Sequence, residues 1–190
     1  PVTVKMRRGI DDSLRSRERF FQILDGAFEL GAAAITVHGR TVEQKYVGAS
    51  NWDFLRDVKQ HVGQKLIIGS GDVFTAQSCL DMMRYTGVDG VSVARGAIGN
   101  PWVFRQARDL AAGKPAMSPD IAEQRRVLEL QRNLCFEIYD DRRVLSTMRK
   151  FGIKFAPLHP SHEQVRNAFA AGKTMTAWQS VLDKFYTSSD

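Results

Sequence analysis

The sequence predicts an α/β fold of four strand–helix units, followed by an all-helical segment. Three observations carry that expectation. Over residues 1–112 a short β-branched run is followed by a turn and then an amphipathic stretch, four times in succession. The runs begin at Val2, Ala34, Leu66 and Gly90, about 32, 32 and 24 residues apart, which suits a strand, a helix and two connections. After Gly113 the strand rhythm stops, and only helical periodicities remain.

The strand candidates are Val2–Met6, Ala34–His38, Leu66–Gly69 and Gly90–Ala94. Runs this short and apolar, separated by helices, read as parallel strands buried between layers. Phe20, Phe21, Leu24, Phe28 and Leu30 repeat at helical spacing, and Gly31 caps that helix at its end. Ser50 precedes a second helix with Trp52, Leu55 and Val58, and Asp53 sits where a first-turn carboxylate favours the dipole. Thr75 caps a third helix carrying Leu80, Met82 and Met83, and Asn100-Pro101 opens a fourth. Lys114–Met117 is a connector, so the expected domains are 1–113 and 118–190. In the second, Ser118-Pro119-Asp120 starts a helix over 121–139, followed by helices over 143–155, 162–170 and 176–186. Val127, Leu130, Leu134 and Ile138 are the expected buried stripe of the first of these.

Composition narrows the class. With 43% hydrophobic and 25% charged residues, the 190-residue chain is long enough for a real core and is not a disordered one. No apolar run reaches the ~18 residues of a membrane span. Pro1 opens without a basic or apolar leader, and the missing Met there leads us to expect further residues upstream. Cys79 and Cys135 are too few for a disulfide framework or a metal site, which suits a reducing, cytoplasmic setting; both read as buried structural thiols. The net charge of +6 favours a polyanionic partner.

Parallel α/β folds build their sites from loops at the carboxyl ends of strands. Polar residues stand at all four such ends: Lys5 and Arg7; His38 and Arg40; Gly69, Ser70, Gly71 and Asp72; Ala94, Arg95 and Gly96. Singly, each has a plain alternative, a solvated strand-end charge for Lys5 and Arg7 or a core histidine for His38. The two glycine turns each join a strand to a helix, where backbone N–H groups can approach a phosphate closely. Arg95 beside the second strengthens the reading of a phosphate-ester cofactor site. No G-x-G-x-x-G follows the first strand, which disfavours a Rossmann arrangement.

Val4-Lys5-Met6-Arg7, Ile35–Thr41, Gly69-Ser70-Gly71-Asp72 and Arg95–Trp102 resemble, in order and spacing, the successive blocks of the tRNA-dihydrouridine synthases. The helical remainder, with Met148-Arg149-Lys150, is similar to that family's C-terminal RNA-binding domain. The resemblance implies the C-terminal half of a (β/α)8 TIM barrel followed by a helical tRNA-binding domain. It implies an FMN-dependent reduction of uridine in tRNA to 5,6-dihydrouridine, with NADPH as reductant. On it, Lys5 and His38 contact the isoalloxazine ring, and Arg7 and Arg40 lie beside the ring and the substrate pocket. Gly69, Ser70, Gly71, Asp72, Ala94, Arg95 and Gly96 hold the ribityl chain and phosphate. Two positions depart from the family pattern, Ser70 for the usual Asn and Ala94 for the usual Gly, and weakened FMN binding is the expectation. The barrel's first half, with the cysteine that protonates the uracil, is not in this sequence, so no catalytic residue is assigned. The open edges of a half-barrel lead us to expect a homodimer or a partner half.

Residues 142–173 hold seven basic side chains against one acidic, Glu163, whereas 120–141 hold three basic against six acidic. Arg142, Arg143, Arg149, Lys150 and Lys154 are the expected contacts to backbone phosphates, with a solvated helix face as the alternative. Trp102, Phe104, Trp52 and Phe54, at helix starts, are expected to pack helix against sheet. Trp178 and Phe185 read as core, and His159 and His162 as loop residues. Two other functions compete: another FMN barrel acting on a small molecule, and a non-catalytic RNA-binding protein that keeps a barrel remnant.

Overall fold

The computed structural model describes residues 1–187. They form two compact units, Pro1–Gly96 with Leu110–Lys114, and Ala97–Asp109 with Pro115 onward.

The first unit is a four-stranded parallel sheet with helices between the strands: β1 (Thr3–Arg7), α1 (Leu14–Glu29), β2 (Ala34–His38), α2 (Trp52–Val62), β3 (Ile67–Ser70), α3 (Ala76–Thr86) and β4 (Gly90–Ser92). Strand order follows the chain, β1-β2-β3-β4. Crossovers between consecutive parallel strands are right-handed as a rule, which puts α1, α2 and α3 on one face. That face is apolar: Ile35, Val37 and Ile67 are fully buried, as are Leu24, Leu55 and Met82 on the helices. Gly69 belongs to it, because a Cβ there would lie 2.7 Å from the Met82 sulfur and 3.1 Å from Val88. The glycine therefore serves the approach of α3 to β3.

The opposite face alternates with it, as the period of two requires. Arg7, His38, Ser70 and Ser92 stand in register across all four strands at their carboxyl ends. Lys5, Thr36, Ile68 and Gly90 form the next row back.

Capping fixes where the helices begin. Ser13 caps α1, and Thr75 forms a reciprocal capping box with Ser78 on α3. For α2 the cap is Asn51, whose side chain accepts from the Phe54 N–H at 2.8 Å, and not the expected Ser50. Ser50 is buried one residue earlier, where its own N–H has another partner, described below.

The second unit contains all but the last two residues of α4 (Val103–Ala111), together with α5 (Ile121–Ile138), α6 (Asp141–Phe155), α7 (His162–Ala171) and α8 (Met175–Phe185). Its core gathers Leu128, Val144, Met148, Phe155, Val165, Phe169, Trp178, Leu182 and Tyr186, with Trp102. Each fully buried ring or aliphatic chain contributes roughly 1.5–3 kcal/mol relative to exposure. Trp102 packs edge-on to Phe155 at 5.8 Å between centroids, so α4's start belongs to this core rather than to the sheet's, against the sequence expectation. The chain passes to the second unit after Gly96, returns to the first over residues 110–114, and leaves it again at Pro115. Phe54 is buried in the first unit as expected, whereas Phe104 is about half exposed.

Of the stripe expected to be buried on α5, only Val127 packs against the core. Leu130, Leu134 and Ile138 are exposed at 49%, 47% and 70%. The buried line is Gln124–Leu128–Cys135, one helical row over. Gln124 hides it from an apolar count, since its amide serves the interior by donating to the Pro119 and Leu158 carbonyls at 3.0 and 3.2 Å. His159 is also interior: its Nε2–H donates to the Phe185 carbonyl at 2.8 Å, and its Nδ1 accepts from the Ser161 N–H at 2.9 Å. Trp178 donates to the Met148 carbonyl at 3.1 Å, tying α8 to α6.

Candidate functional site

At the carboxyl ends of the strands lies a cavity of about 220 Å³. Its walls include Lys5 and Arg7 from β1, His38 from β2, Ser70, Gly71 and Asp72 from β3 and its turn, and Ser92, Ala94 and Arg95 from β4 and beyond. Parallel strands in register explain the convergence, since four chain-distant residues on one row project the same way. Arg40, Gly69 and Gly96, also expected at the site, are not in its walls. Gly69 faces α3. At Gly96 a Cβ would come 2.5 Å from the Val73 carbonyl, so the loop after β4 lies tight on the turn after β3.

Arg40 works behind the wall. It is only 3% exposed, and its guanidinium donates to both carboxylate oxygens of Asp72 at 2.7 Å and to the Gly48 carbonyl at 2.6 Å. The Ser50 N–H donates to the same carboxylate at 2.7 Å. Asp72 thereby stays at φ +55°, a left-handed conformation that aspartate tolerates better than most residues. Trp52 adds a bond from its indole N–H to the Gly71 carbonyl at 3.0 Å. One carboxylate thus joins the loops after β2 and β3. It also approaches Arg95, after β4, at 3.6 Å. Burial opposes its ionisation, but the Ser50 N–H and the Arg40 guanidinium outweigh this and hold it below the usual carboxylate range.

His38 faces Ser70 across the strand pair, with Nδ1 3.2 Å from the hydroxyl oxygen. Burial lowers its pKa, and the cations Arg7, Arg40 and Lys5 lower it further, so the imidazole is neutral at pH 7. A neutral ring offers one donor and one acceptor. The Arg7 guanidinium is steadied by the Thr41 carbonyl at 2.8 Å. The cavity therefore joins cations, the hydroxyls of Ser70, Ser92 and Tyr46 and a neutral imidazole, with its one carboxylate already engaged. Such a donor set suits an anionic, oxygen-rich ligand.

Sequence reasoning missed Met6, Tyr46, Val73, Phe74 and Ser92, all in the cavity wall. Tyr46 comes from the 41–50 loop, which carries no strand or helix signal. The two cysteines lie outside the cavity, buried in α3 and α5, and burial raises both thiol pKa values away from reactivity. Among the described residues no cluster of ligands suits a metal ion, and no helix is long and apolar enough to cross a membrane.

A parallel α/β layer with a polar cavity at its strand ends defines the class, one in which strand-end loops hold ligand. The family model for dihydrouridine synthases matches residues 1–189, and the chain belongs to that family. Probable tRNA-dihydrouridine synthases of Mycobacterium leprae and Rickettsia prowazekii are 32% and 34% identical over 97% and 99% of this chain. A tRNA-dihydrouridine synthase B of Shewanella oneidensis is 31% identical over 84% of it. These alignments cover 47%, 57% and 46% of the relatives, so the chain spans about half their length. A solved RcsB response regulator from Salmonella typhimurium aligns over 100% of this chain and 94% of its own, at 12% identity and a TM-score of 0.32. That is too distant to inform the fold.

Proposed function

We propose that this chain is the C-terminal half of an FMN- and NADPH-dependent tRNA-dihydrouridine synthase. On this reading the sheet is half of a (β/α)8 barrel, and residues 118–190 are a tRNA-binding domain. The observation that carries it is the in-register row Arg7–His38–Ser70–Ser92 above a cavity rimmed by Arg95, in a chain of this family.

The donor set fits FMN. Lys5 and Arg7 would stabilise negative charge on the ring, with His38 and Ser70 as neutral hydrogen-bonding partners. Ser92 and Gly71 would line the ribityl chain, and Arg95 would meet the phosphate. Arg40, Gly69, Asp72, Ala94 and Gly96 would shape the loops rather than all touch the cofactor. When bound, FMN supplies the hydride that reduces the uracil ring. The proton donor is expected from the other half of the protein, since Cys79 and Cys135 are buried and inert. The setting is cytoplasmic, where tRNA is available.

Titration of the 190-residue chain with FMN, read by flavin fluorescence quenching, tests the cofactor site. Saturable binding is expected, lost in Arg95→Ala and weakened about tenfold in His38→Ala. Absence of saturation, or equal binding by Arg95→Ala, would overturn the assignment.

The same reading proposes a partner for the sheet's two edges, β1 and β4. Val2, immediately before β1, is 71% exposed, an apolar flank that a second βα array would cover. A homodimer is the expected state in light scattering, and a monomer that binds no hydrophobic dye would refute it.

A further inference from the structure

Arg95 is an exposed cation of the cavity, and its neighbours come from two other loops, those after β2 and β3. Its guanidinium carbon lies 4.7 Å from the Tyr46 ring centroid and 5.2 Å from that of Phe74. The Asp72 carboxylate stands 3.6 Å from its Nη2. Tyr46 is 65% exposed and Phe74 48%, so neither aromatic is accounted for by the core. Both line the cavity.

We infer that Tyr46 and Phe74 are positioning residues that clamp the Arg95 guanidinium for an anionic ligand. This rests on the proposed cofactor site and adds to it the parts that set its phosphate-facing cation. An unrestrained arginine carries large rotamer entropy, which an anion must overcome on binding. Two π faces remove that freedom while leaving the guanidinium charge and its N–H fork available, because stacking engages the plane's face and not its edge. Asp72 fixes one end of the fork and is itself immobilised by Arg40 and the Ser50 N–H. A carboxylate alone would tend to hold Arg95 away from a ligand. The aromatic faces attract the cation without competing with phosphate for its hydrogens.

The test uses Tyr46→Leu, Phe74→Leu and the double variant, whose exposed positions leave folding intact. Two readouts are taken on each. The first is the Arg95 side-chain Nε–H resonance, assigned by its loss in Arg95→Lys. Ring currents should shift it upfield in the parent chain, and each substitution should return it toward the position of free arginine. The second is affinity for FMN beside riboflavin, which lacks the phosphate. Each single variant is expected to weaken FMN about tenfold while leaving riboflavin within about twofold, and to have no further effect on Arg95→Ala. An equal loss for both flavins would make the aromatics ring contacts and overturn the clamp. An unshifted Arg95 resonance in the parent chain would overturn it too. If the parent chain binds neither flavin, the cofactor reading fails and the clamp's ligand with it. Flavin binding indifferent to both aromatics sinks the clamp alone.

Discussion

Asp72→Ala is expected to lower the stability of the sheet-containing unit by about 3–5 kcal/mol, the cost of leaving one member of a buried ion pair without its partner. The magnitude follows from Arg40, which is 3% exposed and loses both carboxylate bonds together. The Arg40 Nη1 already lacks a partner, so only the neutral Gly48 carbonyl is left to the guanidinium and no counter-charge is. Removing the cation as well, in Arg40→Met/Asp72→Ala, should recover much of the loss, because an apolar pair of similar volume carries no stranded charge. Urea unfolding followed by hydrogen exchange reads this directly. Exchange at the Ser50 amide should accelerate in the single variant, since its acceptor is gone. A loss below about 1 kcal/mol, or a double variant worse than the single, would refute the argument.

Acid should act on the same joint. Asp72 titrates below its ordinary value when folded, so its contribution is complete above about pH 4 and disappears as pH falls through the depressed folded value. His38 works in the same direction. Its folded pKa lies below the ordinary 6.5, so the unfolded chain takes up the proton more readily and stability declines as pH drops beneath that value. Both effects favour the folded unit at neutral pH. The loops after β2 and β3 should therefore loosen on acidification before the apolar face of the sheet does.

How far the sequence disclosed this arrangement depends on the range of the interaction concerned. The four strands and eight helices were readable because period and caps are local properties. The strand-end positions were readable because parallel register aligns equivalent ends without knowledge of side-chain detail. What sequence could not rank was the division of labour among those residues. Arg7 ends β1 and Arg40 follows β2 by two residues, yet Arg40 is locked behind the wall and Arg7 lines it. The difference lies in the path of the 41–50 loop, which brings the Gly48 carbonyl to the Arg40 guanidinium and the Ser50 N–H to the Asp72 carboxylate. Tyr46 escaped notice for the same reason. The stripe on α5 failed differently: two rows on one helix had helical spacing, and the polar Gln124 disguised the buried one. Trp102 was assigned to the sheet because a helix start says nothing about which core lies beneath it.

The second large effect concerns the charge on α6. Replacing Arg142, Arg143, Arg149, Lys150 and Lys154 with glutamine is expected to remove most of the chain's affinity for a tRNA transcript at low salt. All five are exposed on α6, whose opposite side sends Val144, Met148 and Phe155 into the core. Among the described residues none of the five takes part in an ion pair, so their charge is unspent. Arg142 and Arg149 share one row, and Arg143, Lys150 and Lys154 a second, so the helix presents two tracks rather than one point. Adjacent Arg149 and Lys150 diverge by roughly 100° and would reach different phosphates. Each phosphate contact contributes about 0.7–0.9 to the salt slope, so five would give roughly 3.5–4.5, a hundredfold or more between 50 and 200 mM salt. Fluorescence anisotropy at several salt concentrations measures that slope in the parent chain and the variant. A slope that survives all five substitutions would move the RNA contact elsewhere. A flat response in the parent chain would make α6 a solvated helix face and would favour a flavin site that serves a small molecule. Glutamine keeps the helix propensity and leaves the core face untouched. A fall in slope without a fall in stability therefore isolates the charge, and with it the reason residues 142–173 are basic.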